Sequence, residues 1–230
     1  MKKKSIIVFV ILFIVGVGIG YLIPNKSHEK TISLPKPEVT GGERGMLGID
    51  KNINEKTIDQ YLGLPDAVYR DVRMLEDPGN YEAIGGDSFL SGFVEGFEVV
   101  PYPYLTEVKN LPEEVGESYT GETLFTERDG KYTPNYEESM SILEYYFPKN
   151  KTIFLMCGGG GYAGMTKNLL VSLGWDEDKI YDVGGYWFYN GKHNVSVKRE
   201  VDGEVIYDFW KVTYHDISFD QLTKIEDDGE

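Results

Sequence analysis

The sequence predicts an α/β domain: a parallel sheet with helices on both faces, an N-terminal transmembrane helix before it and a C-terminal β-hairpin after it. Three observations carry this reading. Between residues 54 and 184, apolar runs of strand length alternate with segments of helical period, the pattern of strands covered by crossover helices. An uncharged, mostly apolar run from Ile6 to Ile23 follows Lys2, Lys3 and Lys4. Beyond residue 193 the chain alternates apolar and polar residues about Asp202 and Gly203, a hairpin signal.

The apolar run comes first in the chain. Its 18 residues rise about 27 Å as a helix, enough to cross a bilayer core. With the three lysines kept on the cytoplasmic side, the remainder of the chain lies outside. No small-x-small cleavage site follows the run and no cysteine is placed there for lipid attachment. Residues 1–24 are therefore read as a retained anchor, giving a single-pass cell-membrane protein with an extracytoplasmic C-terminal domain. Residues 25–45 mix Pro, Gly, Ser and charge without period and read as a linker.

The domain proper is expected over 46–192. NEKTIDQYLGL (54–64) offers an Asn cap, then Ile58, Tyr61 and Leu62 at helical spacing, then Gly63 as a stop. AVYRDV (67–72) reads as a short buried strand. GFEVVPYPYL (96–105) supplies a strand around Val99 and Val100, ended by prolines that cannot donate to a ladder. NYEESMSILEYYF (135–147) starts on an Asn cap and sets Met140, Leu143 and Phe147 on one helical face. TIFLM (152–156) is a continuous apolar strand, TKNLLVSLGW (166–175) a helix stopped by Gly174, and KIYDVG (179–184) a further strand.

Two segments break the alternation. Residues 106–134 are acidic and turn-rich, with a hairpin about Asp129 and Gly130. They form an insertion, expected on the same sheet edge as the loop after TIFLM, where they would partly cover it. Residues 193–230 form a hairpin extension and tail.

Charge narrows the partners. The chain has 23 basic and 38 acidic side chains, a net −15, and −18 without the three N-terminal lysines. Nucleic acid is excluded as a partner, and an anionic ligand needs a locally favourable pocket. One cysteine and three scattered histidines form no zinc constellation, and no cofactor is implied.

The lone cysteine is the chemical focus. Cys157 ends a strand and enters a helix through Gly158, Gly159, Gly160 and Gly161. That arrangement aims backbone N–H groups and a helix N-terminus at the sulfur. A thiolate there is expected to have a lowered pKa and to be nucleophilic if it is accessible. Tyr102, Tyr104, Tyr186, Trp187, Phe188 and Tyr189 either line the pocket or pack the core.

These residues resemble the rhodanese-like domains, sulfurtransferases whose cysteine ends a strand in a six-residue loop before a helix. Asp71-Val72-Arg73 is similar to the family's Asp-x-Arg, and Gly92 to Gly96 with Val99-Val100-Pro101 to its Gly-His-Ile-x-Gly-Ala…Ile-Pro segment. Asp182 to Trp187 is similar to its Gly-Gly-x-x-x-Trp element. The resemblance spans roughly residues 48–191. It implies a persulfide on Cys157, an active-site loop of Gly158, Gly159, Gly160, Gly161, Tyr162 and Ala163, supporting roles for Asp71, Arg73 and Lys167, and a small-molecule or protein sulfur donor and acceptor. Tyr162 stands where the family has arginine, and Phe93 where it has histidine. Losing the arginine removes a bidentate anion donor, so thiosulfate is a poor donor on this reading.

The alternatives are an inactive rhodanese-like binding or sensing module and a dinucleotide-binding domain. The latter rests on GGGYAG (159–164) with Asp182 18 residues later. A cysteine phosphatase would need arginine at Ala163. A Cys–His hydrolase would pair Cys157 with His193 or His215.

Overall fold

The computed structural model of the protein describes residues 33–40 and 47–226. The run Ile6–Ile23 and most of the expected linker lie outside them. Among the described residues no helix is long and apolar enough to cross a membrane.

Strands β1 (Ala67–Asp71), β3 (Glu98–Val99), β6 (Thr152–Cys157) and β7 (Ile180–Gly185) form a four-stranded sheet, ordered β3-β1-β6-β7 with every pair parallel. β6 is central, and its buried IFLMC run has apolar partners above and below. Successive strand residues point to opposite faces. Ile153, Leu155 and Cys157 therefore join one core, and Phe154 and Met156 the other.

The expected mixed α/β class holds, but helices cover one face only. Helices α1 (Tyr102–Leu105), α2 (Ser139–Tyr146) and α3 (Gly161–Ser172) bury Leu105, Leu143 and Leu169 in the core that contains Cys157. The opposite face is covered by the chain around Ile53 and Ile58, which makes a single 3₁₀ turn, Ile58–Gln60, in place of the helix expected over 54–64. The polar side chains there bond their own backbone: Asn54 Oδ1 accepts from Lys56 N at 3.1 Å, and Asn54 N donates to Thr57 Oγ1 at 3.0 Å. Such local bonds compete with a helix ladder.

Other elements differ in their ends. The helix expected from residue 166 begins five residues earlier, at Gly161. Asn135 does not cap α2, because its amide donates to Thr123 O at 2.8 Å and ties down the hairpin before it. That hairpin, β4 (Phe125–Arg128) with β5 (Lys131–Pro134), turns at Asp129 and Gly130 as expected, both at positive φ. Leu124 and Phe125 are fully buried, so 106–134 is part of the main core as well as a loop. From Leu34 the expected linker is docked: Thr40 N donates to Ile49 O and Tyr181 Oη to Pro35 O.

The C-terminal hairpin, β9 (Lys198–Val201) with β10 (Glu204–Tyr207), turns at Asp202 and Gly203 as expected. Its flanks are integrated. β8 (Asn194–Ser196) pairs antiparallel with β2 (Gly92–Val94), and Tyr214 bridges in parallel to Val99.

Candidate active site

Cys157 sits at the C-terminal end of the central strand, the edge where open parallel sheets bind ligands. Its Sγ accepts a hydrogen bond from Gly160 N at 3.0 Å. Gly160 has φ +110°, a conformation that glycine adopts without strain, and this turns the N–H back onto the sulfur. Gly158 and Gly185 are needed for close approach. A Cβ on Gly158 would come within 2.4 Å of the Trp187 ring, and one on Gly185 within 2.2 Å of Gly158 O.

Cys157 is on the wall of a cavity of about 320 Å³. Arg73 and Met74 line it after β1, and Tyr81, Ile84 and Phe89 from the following loop. Asn110, Leu111 and Pro112 come from the inserted segment, which therefore emerges at the cysteine edge as expected. Gly158, Gly159, Gly161, Tyr162, Met165, Trp187 and Phe188 line the cysteine side, and Asp77, Gly85, Asp87 and Ser88 complete the wall. Of the aromatic residues with two expected roles, Trp187 and Phe188 line the cavity, Tyr102 packs in the core, and the Arg73 guanidinium lies 4.5 Å from the Tyr186 ring centroid.

The thiol differs from its expected state. Burial pushes its pKa up to about 12, and the Asp182 and Asp71 carboxylates add to this against the backbone bonds from Ala163 and Gly160. Two loop N–H groups do not outweigh a desolvated thiolate beside carboxylates. The expected lowered pKa is thus overturned by residues outside the loop. Ala163 itself is fully buried and packs in the core.

Tyr162 holds the position where the resemblance implies arginine, and its hydroxyl is taken up by the protein. It donates to Asp77 Oδ2 at 2.9 Å and lies 2.5 Å from Tyr81 Oη and 2.9 Å from Ser118 Oγ. Ser118 Oγ in turn donates to Asp77 Oδ1 at 2.7 Å. Burial and Asp77 raise the Tyr162 pKa, so its proton stays on. Asp77, Tyr81 and Ser118 have no motif spacing in the sequence. Only the fold brings them to Tyr162.

Of the expected supporting residues, Arg73 lines the cavity, Asp71 lies behind it and holds its guanidinium, and Lys167 is absent from the wall. Arg73 is 6% exposed; its Nε and Nη2 donate to Asp71 at 2.9 and 2.5 Å, and Nη2 also to Gly92 O at 2.7 Å. Burial opposes its charge, but Asp71 more than compensates and the pKa is raised. Arg73 Nη1 and Trp187 Nε1 are buried without hydrogen-bond partners. Lys167 lies 3.9 Å from Glu177; burial holds the Asp182 carboxyl well above its usual range, and the Gly184 N–H and the Lys167 charge offset this only in part.

Asp182 is 2% exposed, and a Cβ on Gly164 would come within 3.0 Å of its Oδ2. It cannot reach a ribose, which removes the acidic residue the dinucleotide reading requires. His193 and His215 face Glu95 and Glu98 and are absent from the cavity wall. Among the described residues no group of three or more His, Cys, Asp and Glu could hold a metal ion.

No family model, curated protein or solved structure matches the chain.

Proposed function

We propose that the chain is a membrane-anchored, extracytoplasmic rhodanese-like sulfurtransferase that carries sulfane sulfur as a persulfide on Cys157. The observation that carries this reading is the Cys157 sulfur on a cavity wall at the C-terminal edge of the central parallel strand, with the Gly160 N–H donated to it. The membrane placement rests on the three lysines and apolar run at the N-terminus.

The chemistry balances without an oxidant. Cys157 gives up its thiol proton and the thiolate attacks the terminal sulfur of a donor persulfide, R–S–S–H. The donor S–S bond breaks, its electron pair leaves on R–S⁻, and that sulfur takes up a proton. The products are R–SH and Cys157–S–SH, and an acceptor thiolate reverses the step. Thiosulfate is a poor donor, because Tyr162 offers no cation and its hydroxyl is held by Asp77.

A second reading, an inactive binding or sensing module, is favoured by the thiol pKa near 12. Mass spectrometry separates the two. Incubation of the reduced full-length chain with a low-molecular-weight persulfide should add one sulfur to Cys157, more readily than incubation with thiosulfate, and none in Cys157→Ser. A folded, reduced protein that takes sulfur from no donor would leave the binding module.

A further inference from the structure

The cavity wall is chemically lopsided. Phe89, Leu111, Met165, Trp187 and Phe188 make it apolar. Its carboxylates are Asp77 and Asp87, while its one cation, Arg73, is already engaged by Asp71. An anionic body placed here would lose its hydration and meet two like charges, both unfavourable. An apolar body would release water from aromatic surface.

Two unused donors mark where a polar end would go. Arg73 Nη1 and Trp187 Nε1 belong to side chains on the same wall as Cys157, and both are buried without partners. A buried donor left unpaired keeps its full desolvation penalty. A ligand that brings an acceptor to these groups would relieve that cost. The Trp187 ring is held in place by its neighbours, since a Cβ on Gly86 or Gly158 would come within 2.3 or 2.4 Å of it.

We infer that the cavity takes an organosulfur ligand with an apolar, carboxylate-free body, its sulfur end accepting from Arg73 Nη1 and Trp187 Nε1 and its body lying on Phe89, Leu111 and Phe188. This rests on the sulfur-transfer reading for its chemistry but names the ligand class by the cavity alone. In transfer, the ligand is the R–S–S–H donor, and donation from these two groups to its inner sulfur would stabilise the negative charge that collects there as the S–S bond breaks.

The test compares three donors on the full-length chain: benzyl persulfide, glutathione persulfide and thiosulfate. In parallel, calorimetry measures binding of benzyl methyl sulfide, which cannot transfer sulfur, and of its ring-carboxylated counterpart. Benzyl persulfide should label Cys157 at least about tenfold faster than the two anionic donors. Asp87→Asn should narrow that gap. Trp187→Phe, which keeps an aromatic though smaller ring and removes the N–H, should weaken benzyl methyl sulfide binding several-fold. Labelling by glutathione persulfide or thiosulfate at the benzyl rate would overturn the inference and leave sulfur transfer standing. Binding of the neutral sulfide with no labelling by any donor would overturn transfer and leave the inference standing. Neither labelling nor binding would overturn both.

Discussion

Burial and charge set what the Cys157 thiol can do. Its neighbours Asp182 and Asp71 oppose ionisation, and the backbone bonds to the sulfur only partly offset them. Below the ordinary value of 9.0 the thiol is neutral in folded and unfolded chains alike; above it the unfolded thiol ionises first. The contribution to stability is therefore lost as pH rises toward about 12. Reactivity runs the other way, because only the thiolate alkylates. Iodoacetamide modification of Cys157 should climb about tenfold per pH unit from about pH 7 to about pH 10 with no plateau. A plateau centred near neutral pH would contradict the raised pKa. Burial also raises the Asp182 pKa, so its charge opposes the thiolate only once that carboxyl has ionised, and Asp182→Asn should shift the alkaline part of the alkylation profile to lower pH.

Within the β6-loop-α3 element, the four glycines are not equivalent, although in the sequence they look alike. Gly161 opens α3 with nothing within 4 Å of an added Cβ, whereas a Cβ on Gly158 would come within 2.4 Å of the Trp187 ring; facing the loop, Gly185 on the neighbouring strand would drive a Cβ into the backbone of Gly158 and Gly159. Backbone cannot move aside as a side-chain tip can. Gly161→Ala should leave urea-denaturation stability within about 0.5 kcal/mol, and Gly185→Ala should lower it by about 2–4 kcal/mol. Equal effects would mean that the loop does not pack against β7 as described. This contrast also explains what was legible beforehand. The strands β1, β6 and β7, the two Asp-Gly hairpins and the place of Cys157 followed from continuous apolar runs and turn residues, signals carried locally. The helix expected over 54–64 failed because Asn54 and Thr57 found backbone partners that periodicity does not reveal. The Tyr162, Asp77, Tyr81 and Ser118 cluster was illegible because its members come from three segments far apart in the chain, the loop after β1, the inserted segment and α3.

At the scale of the whole molecule, the C-terminal extension is structural rather than appended. Its hairpin tip is exposed, but Val197 is fully buried and forms a third core with Leu90, Phe93 and Val99. Backbone bonds from Val99 N to Thr213 O and from His215 N to Val99 O extend the main sheet past β3. Ile225 N donates to Asn135 O, closing the chain onto the inserted hairpin. The extension also supports the cavity: Tyr207 stacks on Phe89 with ring centroids 4.6 Å apart, and Phe89 is part of the cavity wall. A chain ending at Lys192 would lose these contacts and leave apolar surface and strand backbone uncovered, both of which favour aggregation. We expect that truncation to precipitate or to unfold without a cooperative transition in differential scanning fluorimetry. A chain ending at Glu226, which keeps every contact named, should melt with the full-length protein. If the chain ending at Lys192 instead melts cooperatively near the full-length temperature and still labels at Cys157, the extension is dispensable and the third core contributes little to stability.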